Sequence, residues 1–206
     1  MFKKGWAKAV NLPKQMTRRF FFILLFSILI SLGIGVGIGW QLSPQQGIPI
    51  RMVADYLRAV LQADRTFYTQ HVVERMEDML IVTATENWRE ERTLPLPAQF
   101  FKEASRGLQV RGKPFRYRLM SLWPLDPENA PHNDQERNAL EQVVEFGEVV
   151  EQEIQVNNQP YYQAIFPDRA VSRACVHCHN AHQDSPKRDF KLNDVMGGLE
   201  ILIPLH

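Results

Sequence analysis

Cysteine is scarce in this sequence. Of 206 residues only Cys175 and Cys178 carry thiols, which leaves no material for a framework of several disulfides. An excess of charge of one sign is missing too. Lys and Arg number 24 against 23 Asp and Glu, a formal net charge of +1, whereas nucleic-acid-binding domains carry a clear basic excess. No internal repeat and no low-complexity tract interrupts the chain, and no catalytic triad, phosphate-binding glycine loop or carboxylate pair stands out. These absences point away from nucleic acid and away from an enzyme.

What is present begins with an uneven placement of charge. Lys3, Lys4, Lys8, Lys14, Arg18 and Arg19 precede the uncharged run FFFILLFSILISLGIGVGIGW, residues 20–40. About 20 apolar residues cross a bilayer as one helix. Basic residues on the preceding flank put that flank in the cytoplasm and everything after Trp40 outside it. A cleaved signal peptide has a shorter apolar core, about 7–15 residues, followed by a small-residue cleavage site. Neither feature fits here, so the run reads as a retained signal anchor. Gly33, Gly35, Gly37 and Gly39 contain two G-x-x-x-G spacings, a candidate face for pairing two membrane helices into a homodimer. The expected organisation is a basic cytoplasmic tail (1–19), a transmembrane anchor (20–40), a linker (41–49) and one extracytoplasmic domain (50–206). The expected setting is an inner or equivalent membrane, with the domain in the periplasm or a lumen.

Within that domain no proline or glycine occurs from Met52 to Leu80. Val53, Leu57, Val60, Phe67, Val72, Met76 and Met79 recur at helical steps and predict a long amphipathic helix, with Asp64 and His71 on or beside its apolar stripe. Residues 92–108 start as a proline-punctuated loop and continue as a short helix. The alternation of Phe115, Tyr117 and Leu119 with Arg116 and Arg118 predicts a half-buried strand. Asn133 with Glu136 has the form of a helix-starting cap, Asn157–Asn158 reads as a hairpin turn, and residues 195–204 read as a final strand. The expected order is long helix, strand, helix, hairpin, cysteine loop, strand. That is an α+β fold with a small antiparallel sheet.

The two thiols fall in RACVHCHNAH, residues 173–182. Cys175-Val-His-Cys178-His179 matches C-x-x-C-H, the attachment signature of c-type haem. Two thiols add across the vinyl groups of one porphyrin edge, and the histidine next to the second thiol reaches the iron as proximal ligand. Three other chemistries share the spacing. A thioredoxin-like dithiol expects a βαβ context and gives His179 no role. A structural zinc needs four ligands, here crowded into eight residues with His177 or His182. A disulfide across two residues closes a very small loop and stabilises little. The topology, argued without the motif, places it in the compartment where c-type haem is attached. On that reading His177 and His182 are bystanders.

The segments RTFYTQHVV (65–73), LPLPAQFFKEA (94–104), RYRLMSLWPLDPENAP (116–131), ERNALE (136–141), ACVHCHN (174–180) and NDVMGGLEILIP (193–204) carry a wider likeness. From Pro49 to Leu205 the chain resembles the bacterial family of single-haem c-type domains with a PAS-like fold, found alone or as the sensor part of membrane histidine kinases. The resemblance implies a PAS-like sheet with haem c held against it, His179 as axial ligand, and a redox or sensory role. In that family the distal ligand varies and can be a cysteine thiolate. Both cysteines here are taken by the haem, so a thiolate is not expected. His71 and Met196 are the candidate distal ligands, with Met52, Met76, Met79 and Met120 behind them. The expected function is electron transfer or redox chemistry outside the cytoplasm. The alternative is a redox or gas sensor, which needs a signalling partner because no output region follows the last strand.

Overall fold

The computed structural model describes Phe22, Ile23, Leu25–Ser27 and residues 47–205. The five residues of the first group are helical. The rest of the apolar run, with its glycines and the basic tail, lies outside the described residues, and so does the anchor expectation. Among the described residues no helix is long and apolar enough to cross a membrane.

The stretch without proline or glycine is helical almost throughout. Helix α1 (Ile50–Phe67) passes into a π-helical turn (Tyr68–Val73) and then helix α2 (Glu74–Asp78). Leu80, at φ 54°, takes the left-handed conformation that a helical run cannot continue through. The ridge that meets the core runs through Ala54, Leu57 and Leu61, then Thr69 and Val73 below the wider turn. This corrects part of the expected stripe. Val60, Phe67 and Met79 are 59%, 62% and 56% exposed. The sheet takes the ridge beside Val60 and Phe67 instead of those residues themselves, and the π-turn that follows them rephases the face before Met79. Asp64 and His71 are exposed as well.

Ala84–Thr85 (β1) and Leu94–Pro95 (β2) form a short parallel pair around helix α3 (Trp88–Glu91). Helix α4 (Pro97–Val110) follows. The main sheet contains β3 (Arg116–Met120), β4 (Val150–Val156), β5 (Gln159–Arg169) and β6 (Val195–Pro204) in the order β3-β6-β5-β4. All three pairings are antiparallel. Asn157 and Asn158 both have positive φ, 51° and 62°, as the tight β4–β5 turn requires. Helix α5 (Asp134–Phe146) starts on Asn133, whose side chain accepts from the Glu136 amide at 2.9 Å.

The two faces of the sheet differ. On one face α1 and α4 bury Tyr117, Tyr162, Phe166 and Ile201 with Ala54 and Phe101. On the other, α5 packs Leu140 and Val143 over Met120 and Ile165. Beside that second cluster runs a polar row. Gln152 donates to Gln163, Gln163 to Glu200, and Arg118 bonds both Glu200 and Glu136. Glu200 is only 2% exposed, and a charge so deep is tolerated because it is paired. Glu136 therefore spends its carboxylate on Arg118 and the His132 amide, not on the reciprocal half of a capping box.

The expected cysteine loop is a helix. Residues Arg173–Ala181 form α6, with the Ser172 hydroxyl accepting from the Cys175 amide at 3.3 Å. The serine N-cap starts it in a run free of proline and glycine, and contacts at both ends hold it.

Candidate cofactor site on the thiol helix

Helix α6 is held at both ends. Where β5 leaves the sheet, the ladder is irregular at Asp168/Arg169, and Ala170 exchanges backbone bonds with Asp194 and Asn193, both 3.0 Å. Gln70 Nε2 donates to the Val171 carbonyl at 3.1 Å, and the Ala174 amide reaches Glu74 Oε1 at 3.4 Å. Thus the π-turn and α2 hold the start of α6. At the other end the Asn180 side chain clamps the Phe190 backbone in both directions. Its Nδ2 donates to the Phe190 carbonyl at 2.9 Å and its Oδ1 accepts from the Phe190 amide at 3.0 Å.

One stripe of this helix carries the chemistry. Cys175, Cys178, His179 and His182 stand at i, i+3, i+4 and i+7, which is a single face. His177 is exposed on another side. Both thiols are free and half-buried. Cys175 packs against a buried cluster of Ala170, Phe190 and Met196, with Trp123 and Val176 at its edge. The His179 ring stands edge-on to Phe190 at 5.9 Å, Trp123 meets Phe190 at 5.7 Å, and the Lys187 ammonium lies 5.0 Å from the Phe190 ring centre.

The electrostatics of the stripe distinguish the possible chemistries. Burial pushes the His179 imidazole below its usual pKa, outweighing the pull of Asp168, and His182 adds to the fall. Its Nδ1 is buried without a hydrogen-bond partner. A neutral imidazole is the form that binds a metal, and a ligating histidine directs its other ring nitrogen to an acceptor. Burial pushes the Cys178 thiol up, and Glu86, Cys175 and Glu77 push the same way. A redox dithiol needs the reverse, a depressed pKa. The helix also links two antiparallel neighbours, β5 and β6, not the parallel strands of a βαβ unit. Among the described residues no three of His, Cys, Asp and Glu converge as a metal-holding group. Two free thiols one turn apart and an adjacent neutral histidine fit covalent haem.

Met196 and His71 are placed very differently. Met196, 7% exposed, lies in the same cluster as Cys175, and its carbonyl accepts from Ser121 Oγ at 2.7 Å. His71 is exposed and lies tilted against Phe67 at 4.9 Å, in a groove of about 370 Å³ lined by α1 and the π-turn. Gln70 and Glu74, not His71, are the residues of that stretch that bond to the α6 end. Met120 belongs to the α5 cluster, and Met52 and Met79 are exposed.

Sequence reasoning missed three contributors. Phe190 and its clamp Asn180 are two; the asparagine directly after C-x-x-C-H was the available signal. The third is a half-buried pair, Arg65 with Asp168, bonded through both terminal guanidinium nitrogens, one of them at 2.8 Å. Burial works against the Arg65 charge, but Asp168 outweighs it and the net shift is upward. Nothing in the local sequence connects positions 65 and 168.

The architecture defines a class: a single α+β domain whose antiparallel sheet carries a thiol-bearing helix between its last two strands. Residues 49–204 match the Tll0287-like family, and the chain belongs to that family. A similar solved structure is that of the cyanobacterial haem protein Tll0287, with 16% identity and a TM-score of 0.41 over 54% of this chain and 73% of that one. No curated protein matches the chain.

Proposed function

We propose that this protein is a membrane-anchored c-type mono-haem protein that carries electrons outside the cytoplasm, and is not an enzyme. The observation that carries the reading is the stripe on α6, where Cys175 and Cys178 are free and His179 presents a buried orphan nitrogen. The family points the same way, since Tll0287 is itself a haem protein. Bound here, haem c supplies a one-electron iron centre. Cys175 and Cys178 would hold it as thioethers, and His179, kept neutral by burial, would supply the nitrogen to its iron. Phe190 and Trp123 keep water from the histidine's buried side. We read the four antiparallel strands and their flanking helices as a PAS-like arrangement.

Placement favours Met196 over His71 as the distal ligand. Both are neutral donors, and neither stabilises ferric iron as a thiolate does. The potential therefore lies above that of thiolate-ligated relatives, other influences being equal. One observation favours a sensor as the second reading. The helix that follows the linker bonds the segment entering α6 through Gln70 of its π-turn and α6 itself through Glu74 just after it, and π-turns recur at functional sites. Absorption spectra separate the two. A carrier is low-spin in both oxidation states and refuses carbon monoxide. Met196→Ala then turns it high-spin and open to carbon monoxide, while His71→Ala does not. An unmodified protein that takes up carbon monoxide or nitric oxide readily is a sensor.

A further inference from the structure

Helix α1 has two apolar seams, and only one is used. The inner seam, through Ala54, Leu57 and Leu61, meets the sheet. On the outer side Met52, Tyr56, Val60 and Phe67 are 43%, 54%, 59% and 62% exposed, with Ala59 and Ala63 exposed between them. Such a row along one helix is not the scattered surface leucine that needs no explanation. Its spacing is regular. Met52, Tyr56, Ala59, Ala63 and Thr66 are separated by four, three, four and three residues, the 3.5-residue repeat that keeps one seam facing a partner helix. Val60 and Phe67 flank it. At about 100° per residue these positions fill one arc, and no charged residue falls inside it; Asp55 and Asp64 border it on opposite sides.

We propose that this outer seam of α1 is the interface with a second copy of this chain, the two helices lying parallel. Three features select that occupant. In a parallel pair each seam residue meets its own counterpart, and a seam without charge brings no like charges together. The two alanines let the helix backbones approach closely, while Tyr56 and Phe67 supply the buried area. The chain also sets the orientation. Only nine residues, 41–49, separate the apolar run from α1, so a shared bilayer would present two copies with their α1 helices starting on the same side and at raised effective concentration. The proposal is independent of what the thiol helix binds.

The test is sedimentation velocity on the full chain in detergent micelles. The wild type is expected to be dimeric at micromolar concentration. Ala63→Glu and Val60→Glu, both at exposed positions that leave the inner seam untouched, should weaken dimerisation at least about tenfold by placing a carboxylate in an apolar seam. Val110→Glu, at an exposed apolar position elsewhere, should leave it unchanged. A dimer that survives both seam substitutions overturns the proposal, including one lost only when the glycines of the apolar run are enlarged. So does a monomeric wild type, including one whose α1 amides gain hydrogen-exchange protection only in lipid nanodiscs, which assigns the seam to the bilayer surface.

Discussion

Asn180 gives Phe190 the two backbone bonds that a neighbouring strand would otherwise provide, and Phe190 in turn fixes one side of His179. Asn180→Ala removes both bonds and leaves a buried amide and carbonyl unpaired, a loss of about 1–3 kcal/mol in unfolding free energy. Asn180→Asp keeps the acceptor and drops the donor, so urea denaturation should place it between the two. Equal stability of all three would show that the clamp is incidental. A second single-residue effect concerns alkaline pH. The Tyr162 hydroxyl is pushed up to about 12 by burial first, then by Glu151, with Arg51 opposing. An unfolded tyrosine titrates near about 10, so the folded state favours the neutral phenol; that stabilisation is complete below about pH 10 and is lost as the pH rises through about 12. Tyr162→Phe should flatten this alkaline slope and leave neutral-pH stability nearly unchanged, as denaturation across that range will show.

At the scale of elements, the last strand depends on two glycines. A Cβ on Gly198 would sit 2.6 Å from Ile165 Cγ2 and 2.9 Å from Leu140 Cδ1, between the sheet and α5. Gly198→Ala should cost about 1–3 kcal/mol through overpacking. A Cβ on Gly197 would collide with the backbone carbonyl of Met120, which cannot swing away as a side chain can. Gly197→Ala should therefore cost more and part β3 from β6, where Ser121 now reaches the Met196 carbonyl; thermal melts of the two variants should rank them in that order. The elements most legible in the sequence were those with a local signature. The Asn157–Asn158 turn needs left-handed residues, Asn133 caps α5, and the alternation around Tyr117 marks β3. The thiol helix was harder. Cysteine and histidine are weak helix formers, and Ser172 supplies its only local start signal. The π-turn and the β1–β2 pair have no local signature, because contacts with distant residues such as Phe100, Pro95 and Val171 hold them. The same holds for the site. The thiols and His179 form a contiguous motif, whereas Arg65–Asp168 and the choice between Met196 and His71 depend on contacts 75 to 103 residues apart in sequence.

For the whole molecule, the charge step at Phe20 predicts an inside N-terminus and an outside domain. A phosphatase fused after His206 should be active outside the cytoplasm, and a mature protein beginning near Ser43 would mean that the apolar run is cleaved and does not anchor. The long α1–α2 helix bonds to the thiol-helix segment through Gln70 and Glu74. The electron-transfer proposal depends on covalent attachment of haem to α6. The most direct measurement is haem staining after denaturing gel electrophoresis of protein made with a c-type maturation system, with intact mass alongside. One haem per chain should persist through denaturation, Cys175→Ser or Cys178→Ser should weaken its retention, and the double substitution should abolish it. A chain that carries zinc and no haem, or haem that leaves on denaturation of the wild type, contradicts the account.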